Sequence, residues 1–196
     1  MQRERIVYII DDEPEMCRSI ELLLAIERFQ TRSFPSAEAF VEQVSHLPVG
    51  IILSDIAMKD MSGLDLLKAL PSLDRTDPVI LITGHGDIAL AVTAIKSGAA
   101  DFIEKPFEAV RLLQSVKAVH DVVTRLSVRA QCMASLSRRE RQVLKHIVRG
   151  LTAKQTAIEL EISPRTVETY RQHLMEKTGA TSLSQLVRFG MEAHVD

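Results

Sequence analysis

The sequence predicts two domains in series: an α/β domain built on a doubly wound, five-stranded parallel sheet, then an all-α domain of four short helices with a helix-turn-helix. Short Ile/Val/Leu-rich runs alternate with amphipathic stretches over residues 1–125, which is typical of strands buried on both faces of a parallel sheet. Residues 136–196 show only the helical period, interrupted by capping signals. The first 125 residues carry 13 Lys and Arg against 19 Asp and Glu, a net charge of −6, whereas the remaining 71 carry 11 against 7, a net charge of +4.

The first domain alternates strands with helices, which indicates a parallel sheet covered by helices. Three continuous apolar runs and two weaker ones predict the strands Ile6–Ile10, Phe29–Phe34, Gly50–Ser54, Val79–Thr83 and Asp101–Ile103. Capping residues, Pro14 and Gly98 predict helices at Glu15–Glu27, from the cap Ser36 through Val44, at Gly63–Leu70, from Asp87 to Gly98, and at Glu108–Arg125.

The second domain is predicted from residue 136 to residue 196, after a linker over residues 126–135 that is less apolar and lacks a strong pattern. Capping-box spacing and helix stop signals mark four helices, which begin after Ser137, Thr152, Ser163 and Ser182. Gly150 is expected to end the first of them and Gly179 the third.

The composition excludes several classes of protein. No run approaches the ~18–20 apolar residues of a membrane span, and the charged residues Met1–Arg5 lead directly into a strand, which leaves no room for a signal peptide. Cys17 and Cys132 lack the spacing of a disulfide framework or a zinc site. We therefore expect a cytoplasmic protein without membrane contact, and the basic second domain is the candidate for binding a polyanion.

Polar side chains lie at the carboxyl ends of four predicted strands: Asp11 and Asp12, Asp55, Thr83, and Lys105. Because ligands bind beyond the carboxyl ends of the strands in such a sheet, we expect these side chains to line one crevice. Three converging carboxylates need a cation to stay ionised, and Mg²⁺ suits hard oxygen ligands. An Asp in this setting can attack a phosphoryl donor while the metal and the Lys neutralise charge.

Residues 6–125 resemble the receiver domain of two-component response regulators, through the segments YIIDDEP, ILSDIAMKDMSGLDLL, LITGHGD and DFIEKPF. The resemblance implies that Asp55 accepts a phosphoryl group from a sensor histidine kinase. It also implies Mg²⁺ ligands (Asp12, Asp55, the backbone carbonyl of Ala57, and Asp11 directly or through water), contacts to the phosphoryl oxygens (Thr83 and Lys105), an aromatic switch residue (Phe102) and a cis Lys105–Pro106 bond.

Two features distinguish this sequence within the resemblance. Lys59 stands where the family usually has Pro, which places an extra cation near the site and predicts a less rigid loop. Ala57, two residues beyond Asp55, cannot supply the second carboxylate that a phosphohydrolase would use as general acid or base. The sequence therefore favours a protein that catalyses only its own phosphorylation and slow dephosphorylation over a turnover enzyme.

A helix-turn-helix is predicted from Thr152–Leu160 and Ser163–Lys177. Val167, Tyr170 and Leu174 share one face of the second helix and are expected to pack inward. The residues left toward solvent or a DNA groove are Arg165, Thr166, Glu168, Thr169, Gln172 and, less clearly, Arg171.

Residues 136–189 are similar to LuxR-type DNA-binding domains, through LSRRERQVLKHIVRG, AKQTAIELEISPRTVETYRQHLMEKTGA and SLSQLVR, and the combination resembles the FixJ-like subgroup. Ala153 and Tyr170 depart from the residues common in that family. The implied contacts are to base edges (Glu168, Thr169 and Gln172) and to phosphates (Lys154, Arg165 and Arg171).

The resemblance further implies promoter DNA and RNA polymerase as partners, and a homodimer on phosphorylation. In the fourth helix we expect Ile88, Ala91, Val92 and Ile95 to face the core, which leaves Leu90 and Ala94 as the candidate dimer contacts. The last helix is a second candidate, although its apolar residues could equally be core. The alternatives are a phosphohydrolase or phosphotransferase for a small molecule, and a receiver whose helical domain binds protein or RNA.

Overall fold

The computed structural model describes residues 5–84 and 88–193 and contains two compact units, of which the first ends at Val122 and the second begins at Val123. Within the described ranges, no helix combines the length and the apolar character that a membrane crossing requires.

The first unit is built on the predicted sheet of five parallel strands, in the order β2-β1-β3-β4-β5. The strands are β1 (Ile6–Ile10), β2 (Gln30–Phe34), β3 (Ile51–Asp55), β4 (Val79–Thr83) and β5 (Asp101–Glu104). Every residue of β3 and β4 is buried, which confirms that their continuous apolar runs lie between two helical layers. Asp55 lies opposite Ile82 and Thr83 opposite Glu104, so neighbouring strands end at the same edge.

Five helices connect and flank these strands: α1 (Pro14–Ile26), α2 (Ala37–Val41), α3 (Gly63–Ala69), α4 (Ile88–Lys96 within the described residues) and α5 (Ala109–Ser135). Ser36 caps α2 and Ser62 caps α3 through bonds from backbone N–H groups to their hydroxyls. The predicted start of the fourth helix at Asp87 lies outside the described residues.

The prediction for the faces of α4 is wrong. Ala94 is fully buried and Leu90 packs against the core, whereas Ile88, Val92 and Ile95 are exposed. The reason is the C-terminal turn of the helix, where Ala99 N–H bonds to the carbonyl of Ala94 (3.1 Å) and Gly98 N–H to that of Ile95 (3.0 Å). This Schellman arrangement places the residue after Gly98 beside Ala94, and the chain must turn inward there to enter β5.

The predicted end of the fifth helix at Arg125 is also wrong, because α5 continues through the predicted linker to Ser135. No Gly or Pro occurs between residues 107 and 149, and good helix formers such as Ala130 and Met133 fill the segment. The weak apolar pattern of the segment therefore does not interrupt the helix, and the boundary between the two compact units falls within it.

The second unit contains four further helices: α6 (Arg138–Val148), α7 (Ala153–Leu160), α8 (Pro164–Thr178) and α9 (Leu183–Glu192). The predicted caps are confirmed, with complete capping boxes at Ser137 and Thr152. Gly150 and Gly179 adopt the left-handed conformation that ends α6 and α8, with φ of 80° and 70°. The core joins residues of all four helices, including Val143, Leu144, Ala157, Val167, Leu174 and Leu186.

Candidate functional site

The crevice at the carboxyl edge of the sheet is organised around an ammonium group. Lys105 Nζ lies 3.1 Å from Asp11 Oδ2 and 3.1 Å from Asp55 Oδ1. Both carboxylates are almost completely buried, at 3% and 5% exposure. Two buried carboxylates at such a short distance from one ammonium group form a preorganised charged cluster, in which the cation offsets the cost of burying them.

Asp55 is held by its own loop. Its Oδ2 accepts a hydrogen bond from Ala57 N–H at 3.0 Å, while Oδ1 is buried and accepts no hydrogen bond of good geometry from the described residues. The ion pair with Lys105 is thus the only contact recorded for Oδ1 in the described part of the chain. One carboxylate oxygen therefore retains its hydrogen-bonding capacity for a bound group.

Lys105 is positioned by backbone contacts. Its N–H bonds to the carbonyl of Thr83 at 2.6 Å, and the Lys105–Pro106 bond is cis, as the resemblance implied. Burial works to lower the pKa of Lys105, but the close contacts with the Asp55 and Asp11 carboxylates outweigh it and raise that pKa. The side chain is therefore a permanent cation in this crevice.

The other predicted site residues differ in their placement. Thr83 is buried at the end of β4, Phe102 is half-buried beside the core, and Ala57 is exposed. Asp12 is exposed, and the described residues contain no group of three His, Cys, Asp or Glu side chains arranged to hold a metal ion. The expected convergence of Asp11, Asp12 and Asp55 is therefore not observed: Asp11 points inward, and Asp12 points away, as successive residues of an extended segment do. The third carboxylate near the ammonium group is that of Glu13, whose Oε1 lies 3.7 Å from Lys105 Nζ.

Gly63, the first residue of α3, supports this site and was not singled out by the sequence. A Cβ atom here would lie 2.3 Å from the carbonyl oxygen of Asp55 and 2.8 Å from Ser54 Oγ. The Ser54 hydroxyl donates to that same carbonyl at 3.0 Å. The start of α3 therefore packs directly on the backbone of the candidate acceptor, and a Gly immediately after a capping Ser is the signal that could have indicated it.

Gly63→Ala is expected to lower the free energy of unfolding by about 1–3 kcal/mol, because the added methyl group must displace backbone atoms. We also expect slower phosphorylation by a small acyl phosphate, since Asp55 shifts with its carbonyl. Denaturant unfolding and phosphorylation rates check both effects. Gly84→Ala is the stability control, because a Cβ atom there meets nothing within 4 Å; equal destabilisation by both substitutions would contradict this explanation.

The second candidate site is the solvent face of α8. Val167 and Leu174 are buried and Tyr170 packs against the core, as predicted, while Glu168, Thr169 and Gln172 are exposed. The remaining predicted contact residues are exposed (Lys154 and Arg165) or half-buried (Thr166 and Arg171). Glu168 and Arg171 pair with each other at 2.8 Å. The face thus carries hydrogen-bond donors and acceptors together with positively and negatively charged side chains. Such groups contact base edges and phosphates directly.

Glu140 has a second role that its capping-box position did not reveal. Its carboxylate accepts from Ser137 N–H at 2.7 Å and from Lys177 Nζ at 2.8 Å, which ties the start of α6 to the last turn of α8. Burial acts to raise the pKa of Glu140, but the Lys177 and Ser137 hydrogen bonds outweigh it and lower the pKa to about 2. This ion pair fixes the carboxyl end of the candidate recognition helix.

The lowered pKa of Glu140 predicts acid sensitivity of the second unit. Because the pKa of Glu140 is lower in the folded state than its ordinary value of 4.5, the ionised carboxylate stabilises the fold at pH values above 4.5. This contribution is lost as the pH falls from 4.5 toward about 2. Glu140→Gln keeps the cap but loses the ion pair, and we expect it to cost about 1–3 kcal/mol near neutral pH. Unfolding of both full-length proteins between pH 7 and pH 3 checks this, and a difference that does not shrink with acid would refute it.

Comparison with known proteins identifies a family for each of the two units. Residues 7–117 match the family described as response regulator receiver domain, and residues 134–190 match bacterial regulatory proteins of the luxR family.

Relatives match along nearly the whole chain. The transcriptional regulatory protein FixJ of Rhizobium meliloti (strain 1021) is 42% identical over 193 residues, 94% of each chain. FixJ of Bradyrhizobium diazoefficiens is 41% identical over 195 residues, 95% of each chain. The crystal structure of full-length FixJ from B. japonicum matches with a TM-score of 0.58 and 40% identity over 97% of each chain. The response regulator StyR matches with a TM-score of 0.58 and 32% identity, over 96% of this chain and 99% of StyR. Response regulators of this kind have a histidine kinase as partner and bind DNA. The chain belongs to the family of response regulators that join a receiver domain to a LuxR-type DNA-binding domain.

Proposed function

We propose that a histidine kinase phosphorylates this chain on Asp55 and that phosphorylation promotes dimerisation and binding to promoter DNA. The observation that carries the proposal is the buried pair of Asp55 and Asp11 bridged by Lys105 Nζ at 3.1 Å. We assign residues 1–125 as the phospho-acceptor domain, 126–135 as its connection and 136–196 as the DNA-binding domain.

In this proposal the Asp55 carboxylate attacks the phosphorus of a phosphohistidine. An oxygen–phosphorus bond forms as the bond from phosphorus to the imidazole nitrogen breaks, and the imidazole leaves with the electron pair. Lys105 neutralises charge on the phosphoryl oxygens and Thr83 donates a hydrogen bond to them. Phe102 then changes its packing beside the core and passes the change to the surface of β5.

Receiver domains generally bind Mg²⁺ at their acidic pocket, and the residues of this crevice fit that ion. The carboxylates are hard oxygen donors, and buried Asp55 Oδ1 accepts no hydrogen bond from the described residues. Asp11, Asp55 and the carbonyl of Ala57 would hold the metal, and Asp12, which is exposed here, would turn toward the crevice to join them. When bound, Mg²⁺ neutralises the charge that develops on the phosphoryl group.

Ala57 also bears on the competing assignment, an enzyme that hydrolyses small phosphate esters. Its methyl group leaves no general acid or base two residues beyond Asp55, which supports a slowly hydrolysed phosphoprotein. Steady, multiple-turnover phosphate release from p-nitrophenyl phosphate by the full-length chain would favour the hydrolase instead.

For the second unit we propose that α8 enters the major groove. Glu168, Thr169 and Gln172 contact base edges, and Thr166 lies beside them. Lys154, Arg165 and Arg171 contact phosphates and fix the register of the helix without reading sequence. The exposure of these side chains in two adjacent helices supports the assignment.

The salt dependence of DNA binding tests this part. The affinity of the phosphorylated full-length chain for duplex DNA is expected to fall steeply as salt rises, and Lys154→Gln should reduce the slope of log K against log[salt] by about 1. No salt-dependent binding to any duplex would favour the alternative of an adaptor that binds protein.

The proposed dimer surface is the exposed apolar stripe of α4, which replaces the incorrect assignment to Leu90 and Ala94. Ile88 and Ile95 are 81% and 51% exposed, beside Val92. The alternative on α9 is weaker, because Leu186 is fully buried and Val187 packs against the core, although Leu183 is half exposed.

Ile95→Asp is expected to abolish phosphorylation-dependent dimerisation, whereas Leu22→Asp, an equally drastic change on exposed α1, should leave it intact. Sedimentation velocity with and without an acyl phosphate measures the difference. If Ile95→Asp dimerises on phosphorylation as wild type does, this surface is excluded.

We further propose RNA polymerase as a partner of the DNA-bound dimer. We propose the cytoplasm as the location of the protein, because the kinase and the promoter are accessible there.

A further inference from the structure

The outer face of α6 carries a row of cations with no obvious function in the fold. Arg138, Arg141, Lys145 and Arg149 follow one another at intervals of three or four residues, so they lie on one side of the helix. Three of them are exposed and Lys145 is half-buried. We call these four residues the α6 stripe; from Arg138 to Arg149 it extends roughly 16 Å along the helix.

The α6 stripe is not neutralised. Within the described ranges, no carboxylate lies within 4 Å of any of the four cations. The single acidic residue of α6 is Glu140, which is buried and bonded to Lys177. The stripe therefore presents three unpaired arginines to solvent, with the half-buried Lys145 between them.

The cations at the amino end of α6 work against the stability of the helix. Neighbouring cations three or four residues apart repel one another, and Arg138 lies in the first turn, where the helix dipole already provides positive charge. Lys145 and Arg149 lie at the carboxyl end of α6, where the dipole favours cations, but Arg138 and Arg141 gain nothing from it. These two arginines point to a role in binding an anionic partner.

The position of the stripe separates it from the face of α8. The two helices pack against each other, and Val143 and Leu144 on α6 belong to the same buried cluster as Val167 and Leu174 on α8. Two helices that turn their buried faces toward each other direct their solvent faces away from each other. A duplex held by the solvent face of α8 therefore lies against a different surface of this unit from the one that carries the α6 stripe.

We propose that the α6 stripe binds an acidic segment of another protein, independently of phosphorylation and of the DNA contacts proposed above. Carboxylates are the complement in charge, and arginine guanidinium groups bind them through two parallel hydrogen bonds. Because the stripe and the α8 face belong to different helices and different surfaces, one protein can hold DNA and the acidic partner at the same time.

The test uses the full-length chain, a fluorescein-labelled 20-residue poly-L-glutamate peptide and a fluorescein-labelled duplex of random sequence. The stripe variant is Arg138→Gln/Arg141→Gln, and the matched control is Lys154→Gln/Arg165→Gln, which removes the same charge from the same unit. All four side chains are exposed and Gln is a good helix former, so both variants should fold. Circular dichroism and thermal unfolding verify this.

The stripe variant is expected to bind the peptide about 10-fold more weakly than wild type, as the loss of two exposed ion pairs implies, while its affinity for the duplex stays within about 2-fold. The control should show the reverse. Equal loss of peptide binding in both variants would overturn the proposal, because net charge alone would then explain it. Weaker duplex binding by the stripe variant would instead assign the stripe to nucleic acid. A smaller species of the stripe variant than of wild type in sedimentation velocity would assign the stripe to an interface with a second copy of this chain. Either outcome overturns the proposal.

Discussion

Asp55→Asn is expected to abolish phosphorylation of the full-length protein by a small acyl phosphate. An Asn side chain keeps the shape of the carboxylate, and its amide oxygen can still accept the hydrogen bond that Ala57 N–H donates to Asp55 at 3.0 Å. The amide is a poor nucleophile, so the oxygen–phosphorus bond does not form. Intact-mass spectrometry at several time points measures the gain of one phosphoryl group.

The control for this experiment is Asp60→Asn, a substitution at an exposed Asp in the same loop. Asp60→Asn should acquire the phosphoryl group at the wild-type rate, because this carboxylate does not belong to the crevice. Phosphorylation of Asp55→Asn at the wild-type rate would show that another residue is the acceptor. A second variant, Lys105→Gln, should still be modified but at least ~100-fold more slowly, since the cation that faces the acceptor is gone.

Arg75→Ala is expected to have the largest effect on stability, a loss of about 3–5 kcal/mol in the free energy of unfolding. Arg75 forms two hydrogen bonds with Asp77, at 2.8 and 2.9 Å, and its guanidinium also donates to the carbonyls of Val44, Leu47 and Pro48. The side chain of Asp77 is completely buried. Removal of Arg75 leaves that carboxylate with only Gly50 N–H as a recorded partner within the described residues.

The structure offers a matched control for burial. Arg111 makes a similar two-bond contact with Asp101, at 2.9 and 3.0 Å, but these side chains are 45% and 30% exposed. Arg111→Ala should cost only about 0.2–1 kcal/mol, because solvent replaces much of what is lost. Chemical denaturation of both variants checks the comparison; similar losses would show that burial does not determine the strength of the Arg75 pair.

The sheet and its carboxyl edge could be predicted because they depend on local patterns. Strands such as Val79–Thr83 are uninterrupted apolar runs, and in a parallel sheet all carboxyl ends meet at one edge. That rule alone brings Asp11, Asp55 and Lys105 together. It does not specify side-chain direction, which is why the exposure of Asp12 could not be predicted.

The faces of α4 could not be predicted from periodicity alone. The more apolar stripe, Ile88, Val92 and Ile95, is the exposed one, because the turn at Gly98 sets the phase of the helix and directs Ala94 inward. A small residue at the end of an apolar helix is a weak hydrophobic signal. The Gly that follows was the better signal, and its preference for a Schellman turn fixes which side faces the core.

Polar contacts between residues far apart in the sequence could not be predicted either. Nothing local connects Arg75 with the carbonyls near residue 47, or Glu140 with Lys177, because these partners are separated by 28 and 37 residues. Each contact depends on where the tertiary fold places a loop or a helix end. A capping box predicts only the local half of the Glu140 interaction.

The control of DNA binding by phosphorylation of Asp55 is tested most directly by the DNA affinity of wild type and Asp55→Asn, each with and without an acyl phosphate. A duplex selected by the phosphorylated wild-type protein from a random pool provides the target. The phosphodonor is expected to raise the affinity of wild type for this duplex by about 5- to 150-fold and to leave that of Asp55→Asn unchanged. Equal affinity of wild type in the two conditions, with phosphorylation of Asp55 verified by mass, would contradict it.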